Sequence, residues 1–222
     1  MFIPELLPQE MRRRHRHAFF GESMSTPIAV LTPIAAIYDE FGIGGPIRGG
    51  WWPCKVLDDE TMIVLTPQGA PVIDALCALE PNVRVIFIGL AGALSALSPG
   101  DIVEPSVATL AHSRHPRTSL TPPSYADARV ATVTSLNESL QRRHLLRARA
   151  DCVDMETAWL FATAQRQSRE VRAILVVSDH LFGSTFVETQ IAVFRAAIQR
   201  VTHDILKDTG LVNAQAQPEF DL

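Results

Sequence analysis

The stretch "VRVIFIGLAGALS", residues 83–95, is an almost unbroken apolar run that ends in small residues. A run of this kind suits a strand covered on both faces of a parallel sheet, because a half-exposed strand would alternate apolar and polar residues. "VRAILVVSDH", residues 171–180, repeats the pattern and ends in three polar residues. Working outward, "TPIAVL" from Thr26 reads as a short buried strand and "IAAIYDEFG" as a helix closed by Gly42. "GIGGPIRGG" reads as turns, and "WWPCKVL" with "TMIVLTP" as a hairpin around "DDE". "APVIDALCALE" is helical, "DIVEPSVATLA" and "RVATVTS" are strand-like, and residues 112–125 form a Pro- and His-containing loop. "NESLQRRHLLRA" starts a helix at Asn137, and "METAWLFATAQRQ" forms another. In the last helix, from about Glu188, the residues Ile191, Phe194, Ile198, Val201 and Ile205 share one face. Strands alternating with helices imply an open or partly closed, mostly parallel α/β sheet.

The chain has 222 residues, enough for one large α/β domain. We expect an N-terminal helical arm over 1–25, the domain over 26–208 and a loose tail over 209–222. The arm's "RRRHRH" is expected to be a solvated helix face or a subunit-edge arm. A net charge of −4 gives no sign of a nucleic-acid partner. Cys54, Cys77 and Cys152 are too few and too scattered for a disulfide framework or a zinc site, so a cytoplasmic setting is expected. No run of about eighteen apolar residues is present, so no membrane span is expected.

In open α/β sheets ligands bind beyond the carboxyl ends of the strands. Three places there carry polar or small residues. After the first buried run, Gly89, Ala91 and Gly92 leave backbone free to approach a ligand, or simply make a tight turn. After the second, Ser178, Asp179 and His180 follow the strand. Asp179 either caps a turn or serves as an acid that protonates a leaving group. In "DMET", Glu156 immediately precedes the apolar "TAWLFATA", where a charge is costly unless satisfied. A helix macrodipole is one explanation.

In this order, "GLAGALSALSPGDIV", "VDMETAWLFATA" and "ILVVSDH" resemble the nucleoside phosphorylase and nucleosidase superfamily, over about residues 26–207. The resemblance implies a single-domain, three-layer α/β sandwich with a mixed, mostly parallel central sheet. It also implies cleavage of the N-glycosidic bond of a purine-type nucleoside. Asp179 would give its proton to N7 of the departing base, oriented by Ser178. Glu156 would accept hydrogen bonds from the ribose 2′ and 3′ hydroxyls and stabilise the developing cation, with Met155 packed on the sugar. Leu90, Ala91 and Gly92 would line the floor, while Leu136 and Asn137 would stack on the base and read its edge. No metal or organic cofactor is implied.

The attacking group is where the sequence departs from the family. Phe87 and Leu90 stand where phosphorylases carry an Arg and a Ser or Thr for phosphate. Arg48 and Arg114 remain candidates for phosphate or for reaching a neighbouring subunit, with His112 and His115 beside Arg114. Nucleosidases activate water with a Glu in the helix after the first strand, but residues 35–37 offer no carboxylate; Asp39 and Glu40 come slightly later. The missing phosphate ligands favour hydrolysis over phosphorolysis, with a nucleoside-binding protein that has lost catalysis as the rival. Family members are dimers, trimers or hexamers of dimers, and with "WW" at Trp51 and Trp52 this leads us to expect a homo-oligomer, a dimer or dimer-based assembly.

Overall fold

A computed structural model describes residues 5–21, 26–42, 45–47, 50–57, 60–180 and 191–211. Its axis is β5 (Arg84–Ala93), the strand formed by the first apolar run and buried along most of its length. β1 (Ile28–Thr32) and β11 (Val171–His180) lie parallel to β5 on opposite edges. Beyond β1 come β4 (Thr61–Leu65), parallel to it, then β3 (Cys54–Val56) and β2 (Gly45–Ile47), each antiparallel to its neighbour. The β3–β4 pair is the expected hairpin.

The sheet continues through β10 (Cys152–Asp154), β9 (Arg129–Thr132), β7 (Val107–Leu110) and β8 (Ser113–Pro116), while β6 (Ile102–Val103) pairs with β11. These eleven strands form one mixed sheet with a parallel centre. Three of them were not expected. β2 lies in the stretch read as turns, and β8 in the stretch read as a loop. β10 is only three residues long, too short to show a periodicity.

The helices complete a three-layer α/β sandwich. α2 (Ala35–Glu40) and α6 (Ile191–Asp208) cover one face, where Ile37, Phe41, Phe194, Ile198, Val201 and Ile205 meet Val30, Ile86 and Val176. The expected apolar stripe of α6 is therefore its buried side from Phe194 onward. On the other face α3 (Val72–Ala78) and α5 (Thr157–Gln167) pack Leu76, Leu160 and Phe161 against Leu31, Phe87 and Leu175. Truncating one of these fully buried side chains to Ala would cost about 2–5 kcal/mol. α4 (Leu136–Arg147) lies beside β10, with Leu146 against Val153.

α1 (Gln9–Phe20) overturns one expectation. Arg12 and Arg16 are buried, because α1 packs on α3 and both guanidiniums reach Glu80, at 3.1 and 2.8 Å. Arg13 and Arg14 form the solvated side instead. Gly21, at φ +86°, ends the helix. The chain then meets itself at Gly50, where a Cβ would lie 2.4 Å from the Phe19 carbonyl oxygen. This close approach lets Phe19 stack on Trp52 with ring centroids 4.5 Å apart. The residues from 212 onward lie outside the described part of the chain.

Candidate active site

A change of strand partner opens the site. On one edge, β5 pairs with β1 up to Phe87 and then with β10 from Gly92. The stretch between them has no strand partner on that edge among the described residues. At such a switch point in an α/β sheet a ligand can reach the strand ends. A cavity of about 210 Å³ lies here, lined by Leu90, Ala91 and Gly92 of β5, Ser178 and Asp179 of β11, Asp154 at the end of β10, and Met155 and Glu156 after it. Pro33 and Ile34 after β1, Gln68 after β4, and Val133 and Val153 complete the wall.

The small residues of "GLAG" prove to be part of the strand. β5 continues to Ala93 because β10 and β11 supply its hydrogen bonds there. Gly89 is required for packing, since a Cβ would lie 2.7 Å from the Phe87 ring. Ala91 and Gly92 do face the cavity.

Asp179 owes its direction to a β-bulge. In β11, Val177 pairs with Ala91 and Asp179 with Gly92, so Ser178 is the extra residue. A bulge re-aims side chains that would otherwise alternate between faces. Here it lets the Ser178 hydroxyl donate to Asp179 Oδ1 at 2.7 Å. Burial pushes the Asp179 carboxyl above its usual range, against the lowering effects of the Ser178 hydrogen bond and the nearby His180. A raised carboxyl keeps its proton closer to neutral pH, as a general acid needs. The His180 ring is held by the Ser95 carbonyl through Nε2 at 2.9 Å.

Glu156 sits at the N-cap position of α5. Its carboxylate makes no cap bond to its own helix. Instead Oε1 accepts from the Gly69 N–H at 2.6 Å and Oε2 from the Met155 N–H at 3.2 Å. Gly69 can turn its N–H inward because it adopts φ +77°, a conformation that a side chain would strain. The capping is left to Asp154, whose Oδ2 accepts from both the N–H of Thr157, at 2.7 Å, and the Thr157 hydroxyl. Thr132 accepts from the Ala158 N–H at 2.8 Å and donates to Asp154 Oδ1 at 2.6 Å. Two of the unpaired N–H groups of the helix start are thus satisfied.

Burial, with the neighbouring Asp154 charge, pushes the Glu156 carboxyl up to about 7. The two backbone donors pull the other way. Burial also raises Asp154, despite the Thr132 and Thr157 hydrogen bonds. Three carboxylates therefore face one small cavity whose described lining contains no Arg, Lys or His. The thiols add no nucleophile: all three cysteines are buried and free, and burial pushes Cys54 up to about 12.

Seven residues expected at the site come together on this cavity: Leu90, Ala91, Gly92, Met155, Glu156, Ser178 and Asp179. Leu136 and Asn137 open α4, and their side chains lie outside the described residues, as does Arg48. Arg114 lines a different cleft, of about 320 Å³, with His112, Arg129 and Arg149. Asp39 and Glu40 are exposed on α2 and do not line the cavity. The sequence did not point to Pro33, Ile34, Gln68, Val133, Val153 or Asp154. The one available signal was Asp154, which stands two residues before Glu156 in the same motif.

No family model and no curated protein matches the chain. Solved structures do. The 5′-methylthioadenosine/S-adenosylhomocysteine nucleosidase of Campylobacter jejuni superposes with a TM-score of 0.67 at 13% identity, covering 85% of this chain and 100% of that one. The Arabidopsis thaliana 5′-methylthioadenosine nucleosidase gives 0.65 at 17%, covering 87% and 98%. The AMP nucleosidase of Bacteroides thetaiotaomicron gives 0.63 at 18%, covering 90% and 98%. The polypeptide thus has the nucleoside phosphorylase and nucleosidase fold, the architecture implied by "GLAG", "DMET" and "SDH".

Proposed function

We propose that this chain hydrolyses the N-glycosidic bond of a purine-type nucleoside. The observation that carries the reading is that a partly buried Asp179 and a buried Glu156 line the same cavity, each held, among the described residues, by neutral donors. Asp179 protonates the base as the bond stretches. Glu156 holds the ribose hydroxyls and offsets the cationic charge that develops on the sugar. A low-dielectric, preorganised carboxylate aids such a transition state more than the ground state. The similar structures, nucleosidases for methylthioadenosine and for AMP, support cleavage of this bond class.

Water is the favoured attacker. A phosphate dianion needs cationic or multiple N–H donors on leaving bulk solvent. The described cavity lining instead presents Asp154, Glu156 and Asp179 and no Arg, Lys or His, so it offers such a dianion no cationic donor. We further propose that the chain works as a homo-oligomer, a reading supported by exposed Trp51, at 75%, and Leu145, at 71%. In the test, a panel of purine nucleosides is incubated with and without phosphate and free base is measured. Release that is independent of phosphate is the expected result. Strict phosphate dependence would establish phosphorolysis, and tight binding without release would mean a binding protein.

A further inference from the structure

Building on the hydrolytic reading, we infer that Glu156 also activates the attacking water, so that one carboxylate handles both the ribose and the nucleophile. In a β-nucleoside the base leaves from one face of the ribose, and the 2′ and 3′ hydroxyls lie on the other. An attacker displacing the base arrives on the hydroxyl face. The group that holds those hydroxyls is therefore beside the incoming water.

The other carboxylates of the described cavity lining are committed elsewhere. Both oxygens of Asp154 are taken by Thr132 and Thr157, which together give it three donors. Asp179 has Ser178 as its partner and the base as its proton acceptor. On the side of β1 the cavity wall is Pro33 and Ile34, which carry no base. Asp39 and Glu40 are exposed on α2 and outside the lining. Glu156 remains: among the described residues each carboxylate oxygen has one backbone N–H, which leaves one oxygen's second acceptor site for the ribose hydroxyls and the other's for the water. Its carboxyl, raised to about 7 by burial and the Asp154 charge, suits a base working near neutral pH.

In the step itself, the water oxygen bonds to C1′ as the C1′–N9 bond breaks, and the electron pair goes to the base. The base takes its proton from Asp179, and the water gives one to Glu156. The products are the free base and the free sugar. Afterwards Glu156 is neutral and Asp179 ionised, and exchange with solvent restores both.

The test uses the full chain and a nucleoside that the wild type cleaves without phosphate. Glu156→Gln keeps the shape and a hydrogen-bonding oxygen but cannot take a proton. Its kcat at saturating substrate should fall about 10²–10⁴-fold, with KM changed far less. Sodium azide, a nucleophile that needs no base, should restore base release to Glu156→Ala by at least roughly ten-fold. Ribosyl azide should then appear by mass spectrometry in equal amount. Asp179→Asn should show no such rescue, because the function it lacks is proton donation.

If Glu156→Gln keeps more than about a third of the wild-type kcat, the assignment is overturned. It is also overturned if Glu156→Ala still binds the nucleoside by calorimetry but azide yields no ribosyl azide. A wild type that releases no base without phosphate would instead overturn the hydrolytic reading, and this role with it.

Discussion

Two sets of wholly or partly buried carboxylates differ in what surrounds them. Glu104 is 1% exposed, yet its oxygens meet Arg117 at 2.7 Å and Arg172 at 2.9 Å, and the Ser124 N–H at 2.9 Å. Glu80 likewise meets Arg12 and Arg16, whose guanidiniums hold its carboxyl below the usual range despite burial. Asp154, Glu156 and Asp179 have hydroxyl and backbone donors in place of Arg, and all three are raised. The fold thus neutralises buried acids elsewhere and leaves those in the cavity basic enough to exchange protons. Perturbed carboxyls gathered in a cleft are what proton-transfer chemistry requires.

The sharpest way to break this contrast is at Asp179. Asp179→Asn cannot donate a proton, and kcat for a purine nucleoside should fall about 10²–10⁴-fold, as measured by base release. An unchanged rate would remove Asp179 from the chemistry. The converse substitution, Glu104→Gln, leaves the buried Arg172 with Asp208, at 3.6 Å, as its remaining ion pair among the described residues. It should destabilise the protein by about 3–5 kcal/mol in denaturant unfolding, with the cavity chemistry untouched per folded molecule.

Glu156→Gln should have the opposite effect on stability. The folded Glu156 carboxyl lies near 7, above its ordinary value of 4.5, so the folded state binds the extra proton between those values. Stability from this group is therefore full below about 4.5 and lost as pH rises towards 7. At pH ~8 the variant should be more stable than wild type by roughly 1–3 kcal/mol, and at pH ~4 the gain should vanish. Melting curves at the two pH values read this directly.

A smaller effect is expected from Asp154→Asn. Removing the like charge beside Glu156 should move the acid limb of the kcat profile to lower pH, by up to about one unit. A limb that stays in place would mean that burial alone sets Glu156. The smallest effect belongs to Arg114→Ala, in its separate cleft, where turnover should stay within roughly two-fold of wild type. A large loss there would connect the basic cleft to the reaction.

Much of this contrast is legible in the residues, and some is not. Asp179 and Glu156 stand out because each interrupts or ends an apolar segment, where a charge requires a reason. The two long strands are legible because runs of five and eight consecutive buried residues leave a clear pattern. β10, at three residues, leaves none, although it takes β5's edge from Gly92 after β1 has left it at Phe87 and so frames the cavity. Arg12 and Arg16 read as solvent-facing because only packing places Glu80 opposite them.

The sequence by itself determined the layered α/β order, the buried central strands and the acids at their ends, since hydrophobic periodicity and isolated charges are local properties. Only the tertiary structure decided which acids meet in one cavity, which are silenced by Arg, and how a bulge at Ser178 and a left-handed Gly69 aim Asp179 and hold Glu156. Those outcomes depend on contacts across 87 residues of chain, as between Gly69 and Glu156, and on desolvation that arises only when the layers close.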